Sequence, residues 1–271
     1  MAFFRTTLLL GLLTGILLAI GFAFAGIEGM TIALLIAIII NFFSYYYSDK
    51  IVISMYRARP TKDEKLNKIV KKLSENSGLP MPKIYIVDMR MPNAFATGRN
   101  PRHAAVVVTR GLIENLNEEE IEGVLSHELA HIKNHDILVS TIAAVVAGAI
   151  TYLADMAWWS MLGNNRQRGR GVLLLPLLIL APISAMLIRM AISRGREFGA
   201  DYTGALISKN PLGLASALEK ISSFAEQNTI RGNSATSHLW IVNPFKDSFA
   251  NLFSTHPPTK ERIRRLREMK I

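Results

Sequence analysis

The polar and apolar positions divide the chain into blocks. Residues 7–27 carry no charge and are almost wholly apolar, and a second such run covers 30–47. At about 1.5 Å per helical residue, either run is long enough to cross a hydrocarbon core of roughly 30 Å. Arg5 precedes the pair, Glu28 is the only charge between them, and Lys50, Arg57 and Arg59 follow. Positive charge at both outer ends predicts a transmembrane hairpin over 1–48 with its ends in the cytoplasm. Ala23-Phe24-Ala25 also resembles a signal-peptidase site. Cleavage there would leave the second span in place and the later chain cytoplasmic.

Residues 49–138 read as a soluble layer. A helix is expected over 61–77, with Leu66, Ile69, Val70 and Leu73 on one face. Pro80 and Pro82 lead into a strand, Lys83–Val87. Met91–Asn100 reads as a loop, Ala104–Thr109 as a second strand, and Gly111 as the start of a short helical piece. Asn117 and Glu120 form a capping box for a helix running from 118 through at least His135. Two further apolar runs, 138–160 and 172–192, predict a second transmembrane hairpin over 139–192. Trp158 and Trp159 suit a membrane interface, whereas Arg166, Arg168 and Arg170 in the connecting loop favour a re-entrant pair. Residues 193–271 return to soluble character. Helices are expected over Arg194–Ile207 and Leu212–Phe224, then a Ser/Asn/Thr-rich loop over 225–239, a His256-Pro257-Pro258 turn, and a basic final helix capped by Thr259.

Composition narrows the chemistry. The 271-residue chain has no cysteine, which excludes disulfides, thiolate metal ligands and cysteine-protease chemistry. Its net charge of +10 suits nucleic acid or a membrane protein with basic cytoplasmic flanks. No nucleic-acid module is recognisable, so no nucleic-acid partner is expected and the lipid bilayer is.

The sharpest chemical signal is His127-Glu128-Leu129-Ala130-His131. Histidines at i and i+4 share a helix face, so both imidazoles can reach one tetrahedral zinc ion, and Glu128 between them is placed as general base. A catalytic zinc needs a third protein ligand. His135 lies roughly 12 Å from His127 along a helix axis, too far to share an ion. The longer zincin signature requires Gly at 134 and His at 137, where this chain has Asn134 and Ile137. Glu197 and Asp201, one turn apart downstream, supply carboxylates. One can ligate while the other orients a ligand histidine.

These segments are joined by Pro92-Asn93-Ala94-Phe95-Ala96-Thr97-Gly98, Asn134 with Asp136, Ser193-Arg194-Gly195-Arg196-Glu197-Phe198 with Ala200-Asp201, and Ser254-Thr255-His256-Pro257-Pro258-Thr259 with Glu261-Arg262-Ile263. Together with the two N-terminal spans they resemble the HtpX-type membrane zinc metalloproteases, in the wider group that includes the CaaX prenyl proteases. The resemblance implies one Zn2+ per chain held by His127, His131 and Glu197, with Asp201 orienting a ligand. It also implies an α+β, gluzincin-like zincin core, its active-site helix beside a small sheet, in an α-helical integral membrane protein. The implied role is quality control under stress: a zinc endopeptidase in the cell membrane cleaving misfolded or damaged membrane proteins from the cytoplasmic face.

Zincins bind substrate along a strand beside the active-site helix. Ala104, Ala105, Val106, Val107, Val108 and Thr109 are the candidate edge strand, against a plain core strand. His256 and Asn93 are candidate oxyanion or substrate contacts, against structural roles. A prenyl-protein-type processing protease and a non-catalytic membrane scaffold are the alternatives. The intact ligand and base set counts against the scaffold. Four spans supply little wall for the chamber a prenyl-processing enzyme needs.

Overall fold

The computed structural model of the chain describes residues 2–145, 194–228, 239–242 and 257–271. Most of the expected second hairpin with its tryptophans and arginines, most of the Ser/Asn/Thr-rich loop, and His256 lie outside the described residues.

Helix α1 (Ala2–Met55) is broken once, at Ala25 and Gly26, where φ/ψ are −146/27 and 58/−140. The two arms fold back on each other. Asn41 Nδ2 donates to Thr14 Oγ1 at 2.8 Å, and a Cβ built on Gly21 would lie 2.4 Å from the Gly29 carbonyl. The turn therefore falls just ahead of Glu28, close to its expected place. Among the described residues, the second arm, Ala25–Met55 (31 residues), is long and apolar enough to cross a membrane.

The second arm runs directly into the layer of strands and helices that follows. After β1 (Arg59–Pro60), helix α2 (Glu64–Ser77) starts at Asp63, whose Oδ1 accepts from the Leu66 amide, and buries the expected Leu66, Ile69, Val70 and Leu73. Strands β2 (Lys83–Val87), β3 (Ala94–Gly98) and β4 (Ala104–Thr109) complete a sheet of order β1-β2-β4-β3. β4 is not an edge. It pairs parallel with β2 (Ile84 opposite Val106) and antiparallel with β3 (Ala96 opposite Val106), and all six of its residues are buried. Its unbroken valine run is the signature of a strand covered on both faces. The edges are β1 and β3, and β3 falls inside the segment expected to be a loop. Ala-Phe-Ala-Thr-Gly contains only Phe95 and Thr97 as strong strand formers, and Pro92-Asn93 precedes it. Pairing with β4 overrides that weak local preference.

Alternation on β4 sorts the core. Val106 and Val108 pack with Leu66, Leu73, Val124 and Leu129 from the helices on one face. Val107 packs with Phe95, Trp240 and, from α1, Val52 on the other. The long apolar helix is thus fixed to the back of the sheet.

A short helix α3 (Arg110–Asn115) leads to α4 (Glu118–Lys133), which begins with the expected capping box. The Asn117 amide donates to Glu120 Oε2 and the Glu120 amide to Asn117 Oδ1, each at 2.9 Å. α4 ends at Lys133, not beyond His135. His135 adopts a φ of 58°, and the Asp136 amide turns back to the His131 carbonyl at 2.9 Å. Helix α5 then begins at 137 and is described through 145. Helices α6 (Arg194–Ser208), α7 (Pro211–Gln227) and α8 (Thr259–Glu268) complete the layer. Thr259 is the first residue of α8 and not its cap; Pro258 holds the cap position and no side chain caps this end.

Glu120 does more than cap. Its side chain, 3% exposed, also accepts from Ser216 Oγ at 2.6 Å and Lys220 Nζ at 2.8 Å, clamping α4 to α7. Burial pushes its carboxyl up, but the hydrogen bonds from Lys220, Ser216 and the Asn117 amide outweigh this and hold it below 4.5. Glu120→Ala should cost about 2–4 kcal/mol, combining a lost cap with lost charged hydrogen bonds. A depressed carboxylate stabilises fully above its unfolded value and loses that contribution as pH falls through the folded one. Thermal unfolding in detergent should therefore separate wild type and variant at pH 7, with the gap narrowing as the medium is acidified through the lowered folded value. A gap that stays constant with pH would mean the ionised carboxylate is not the source.

Candidate metal centre

Helix α4 carries His127, Glu128 and His131, and α6 lays Glu197 and Asp201 across them. The crossing is close because Gly204 of α6 sits on the α4 backbone. A Cβ there would lie 3.0 Å from both the amide nitrogen and Cα of His127. One ligand atom each from His127, His131 and Glu197 lie within 4.8 Å of one another. The two Nε2 atoms are 3.2 Å apart, and the Glu197 oxygens are 3.7 Å from His127 Nε2 and 3.6 Å from His131 Nε2. Two nitrogens about 2.0 Å from one tetrahedral ion would be about 3.3 Å apart.

The outer nitrogens fix the tautomers. His127 Nδ1 lies 2.9 Å from Asp201 Oδ1, and His131 Nδ1 lies 3.3 Å from Asp136 Oδ2. With each Nδ1 proton given to a carboxylate, both Nε2 lone pairs point into one space beside a third carboxylate. That space calls for a cation, and the donor set fits a metal ion. Burial opposes a charge on His131, but Asp136, Glu197 and Glu128 together push its imidazole up to about 9. His127 is lowered by burial, which outweighs the pull of Asp201.

Asp201 is fixed in turn by Arg262 of α8, which is 1% exposed. Arg262 Nε and Nη2 donate to the two Asp201 oxygens at 2.9 and 2.7 Å, and Nη1 donates to the Ile241 carbonyl at 3.1 Å. Burial pushes the Asp201 carboxyl up, but Arg262 and His127 bring it down to about 2. Arg196 stands 3.5 Å from Asp136.

Glu128 points past the ligands to the sheet edge, where the Ala96 amide of β3 donates to its carboxylate. Burial, with Glu197 adding and His131 opposing, pushes its carboxyl up to about 7.

The expected residues His127, Glu128, His131, Glu197 and Asp201 therefore meet at one place. Ala104–Thr109 holds the sheet's centre and offers no free edge to a substrate. Asn93 is fully buried and spends its amide internally. Its Oδ1 accepts from the Ala94 and Ile241 amides at 3.1 Å each, and its Nδ2 donates to the Val242 carbonyl at 2.7 Å. It clasps the start of β3 to residues 241–242 and is not presented to a substrate. Asp136 and Arg262 carry no assigned role in the sequence, although both leave a trace. Asp136 follows the turn that ends α4, and Arg262 shares the inward face of α8 with Leu266 four residues on.

The model of the family described as "Peptidase family M48" matches residues 60–270. A "Protease HtpX homolog" of Thermococcus sibiricus is 52% identical over 277 residues, covering 98% of this chain and 95% of its own length. One from Persephonella marina is also 52% identical over 277 residues, covering 98% and 96%. Among solved structures, S. mikatae Ste24p is 20% identical with a TM-score of 0.48; the match covers 95% of this chain and 62% of that one.

If Asp136 orients His131, Asp136→Ala should weaken metal binding about 10- to 100-fold, read by competition with a chromogenic chelator. His135→Ala, off the helix, should leave it unchanged. Asp201→Ala should weaken binding and also lower the unfolding temperature, because breaking a buried pair with Arg262 costs about 3–5 kcal/mol. Metal binding by Asp136→Ala at the wild-type level would remove Asp136 from the centre.

Proposed function

The chain belongs to peptidase family M48 and is a membrane metalloprotease, and on that premise we propose that it is a zinc endopeptidase that degrades unfolded or damaged membrane proteins from the cytoplasmic face of the cell membrane. The observation that carries this is the convergence of His127 Nε2, His131 Nε2 and a Glu197 oxygen within 4.8 Å, with Glu128 alongside. Two imidazoles and one carboxylate are the donor set of a catalytic zinc site with a position left open. When bound, the ion would supply Lewis-acid chemistry, polarising a carbonyl and acidifying water.

The chain's own residues supply the rest. Glu128, placed beside the ligands and outside the ligand set, takes a proton from water and returns it to the leaving amine. A carboxyl raised towards neutrality is suited to both transfers. Asp201 and Asp136 keep both histidines in the tautomer that points Nε2 inward. The sheet edge nearest the base is β3, whose residues are all buried. Its outward amides at Ala94, Ala96 and Gly98 are held by Asn93, Glu128 and Thr141 Oγ1. An extended segment that displaced these side chains to pair with β3 would present its backbone to Glu128. Recognition through the backbone reads extension over side-chain identity, which suits unfolded chains.

The charge pattern supports the cytoplasmic side. Arg5 and the Lys50, Arg57, Arg59 group flank the two apolar arms, the cytoplasmic pattern. His127 and Glu197 approach one centre, which supports placing the parts expected over 49–138 and 193–271 on one side of the membrane.

Inverted membrane vesicles carrying the protein should cleave an added unfolded protein, and sealed right-side-out vesicles should not until opened. Glu128→Gln should bind metal as wild type does and lose proteolysis by at least 100-fold, the scale of general-base loss, which is about 10²–10⁴. Cleavage by intact right-side-out vesicles would reverse the orientation. Full activity in Glu128→Gln would remove its role as base.

A further inference from the structure

A basic pocket lies where the second arm of α1 meets the catalytic sheet. It is a cavity of about 570 Å³ between Tyr46, Tyr47 and Lys50 of α1, Lys83 at the start of β2, and Arg99 and Arg102 around the turn before β4. Four cations face a single lining carboxylate, Asp49. None of the four is neutralised by a described carboxylate. Arg99 Nη1 donates to the Tyr46 carbonyl at 3.0 Å and its guanidinium stands over the Tyr46 ring at 5.3 Å, while the Lys50 ammonium stands over the Tyr47 ring at 5.0 Å. These contacts orient positive charge without cancelling it.

The pocket's depth along α1 is the second observation. From Ile27 to Tyr47 the arm is uncharged apart from Glu28, and that length is about 30 Å of helix, one hydrocarbon thickness. Tyr45, Tyr46 and Tyr47 then fall where an interfacial aromatic belt belongs, and Lys50 one turn further, at headgroup level. The apolar side of the arm runs straight into the cavity. Ile39, Phe42 and Phe43 are 57%, 53% and 50% exposed, and Phe42 itself lines the pocket.

We propose that this pocket binds the phosphate-bearing headgroup of an anionic membrane lipid, with an acyl chain lying along the exposed face through Phe42 and Ile39. The proposal rests on the membrane reading above. Charge complementarity selects an anion, and the adjoining apolar face selects one that carries a hydrocarbon chain. A lipid held there would touch α1, β2 and the turn leading into β4 together, and so set the height of the catalytic sheet above the bilayer.

Lys83 and Arg102 are exposed and lie outside the metal centre, so they can be changed without disturbing it. Purified full-length protein would be titrated in mild detergent with phosphatidylglycerol or phosphatidylcholine and bound lipid counted by native mass spectrometry. Wild type should retain phosphatidylglycerol at least tenfold better. Lys83→Ala with Arg102→Ala should lose about 30-fold for phosphatidylglycerol, at about 1 kcal/mol per cation removed, and nothing for phosphatidylcholine. Lys83→Arg with Arg102→Lys should restore the preference, and Lys68→Ala with Lys71→Ala on α2 should leave it intact. Equal retention of both lipids by wild type, or undiminished phosphatidylglycerol binding by the double alanine variant, would overturn the proposal. Displacement of the lipid by inorganic phosphate at equal concentration would also overturn it, marking a free-anion site. Co-flotation with neutral phosphatidylcholine vesicles separates the two failures. Protein that does not float contradicts the membrane reading, while protein that floats without headgroup preference contradicts only the lipid site.

Discussion

Two imidazole nitrogens held 3.2 Å apart, each ring's other nitrogen bound to a carboxylate, leave a space that only positive charge can fill. The rest of the catalytic layer is organised around that demand. Glu128, Asp136, Glu197 and Asp201 bring four carboxylates to it, and Arg196 and Arg262 bring two guanidiniums. Carboxylates outnumber guanidiniums there, which suits a bound cation. Burial makes this balance matter. In bulk water such charges would interact by about 1 kcal/mol at 4 Å, but at the higher fields of a protein interior an unpaired one costs several times more.

The supporting structure delivers those groups at fixed distances. The capping box and the Glu120 clamp set α4, which carries both histidines. Gly204 lets α6 approach the His127 backbone, so Glu197 arrives from above and Asp201 reaches behind. Arg262 ties Asp201 to the Ile241 carbonyl, and Asn93 ties the neighbouring Ile241 amide and Val242 carbonyl to the start of β3. A continuous path of hydrogen bonds therefore runs from His127 through Asp201, Arg262 and residues 241–242 to the sheet edge beside Glu128. Val52 on the opposite face of that sheet joins it to α1. The metal centre and the membrane-type helix are thus parts of one packed unit.

The sequence made visible whatever is set by local pattern. Helical spacing put His127 and His131 on one face, the capping box fixed the start of α4, and the valine run marked β4. The parts it concealed depend on tertiary partners. β3 mixes Phe95 and Thr97 with two alanines and a glycine after Pro92-Asn93, becomes a strand by pairing with β4, and without it β4 passes for an edge. The end of α4 depends on His135 taking a left-handed conformation, which composition does not announce. Asp136 is five residues past its partner, across that turn. Arg262 lies 135 residues from His127, in a helix whose Arg264, Arg265 and Arg267 are ordinary surface cations. Asn93 is a candidate substrate contact from the sequence because it stands in the 92–98 segment that carries the resemblance. Its three internal hydrogen bonds appear only once residues 241–242 are in place.

The central claim is that His127, His131 and Glu197 share one ion while Glu128 stands outside the ligand set. Zinc X-ray absorption on the loaded full-length protein tests this directly. The predicted first shell holds two imidazole nitrogens at about 2.0–2.1 Å and light oxygen donors at about 2.0–2.2 Å. That spectrum should be unchanged in Glu128→Gln, and Glu197→Ala should lose the stoichiometric ion. A shell with three imidazoles, or one altered by Glu128→Gln and indifferent to Glu197→Ala, would contradict the account.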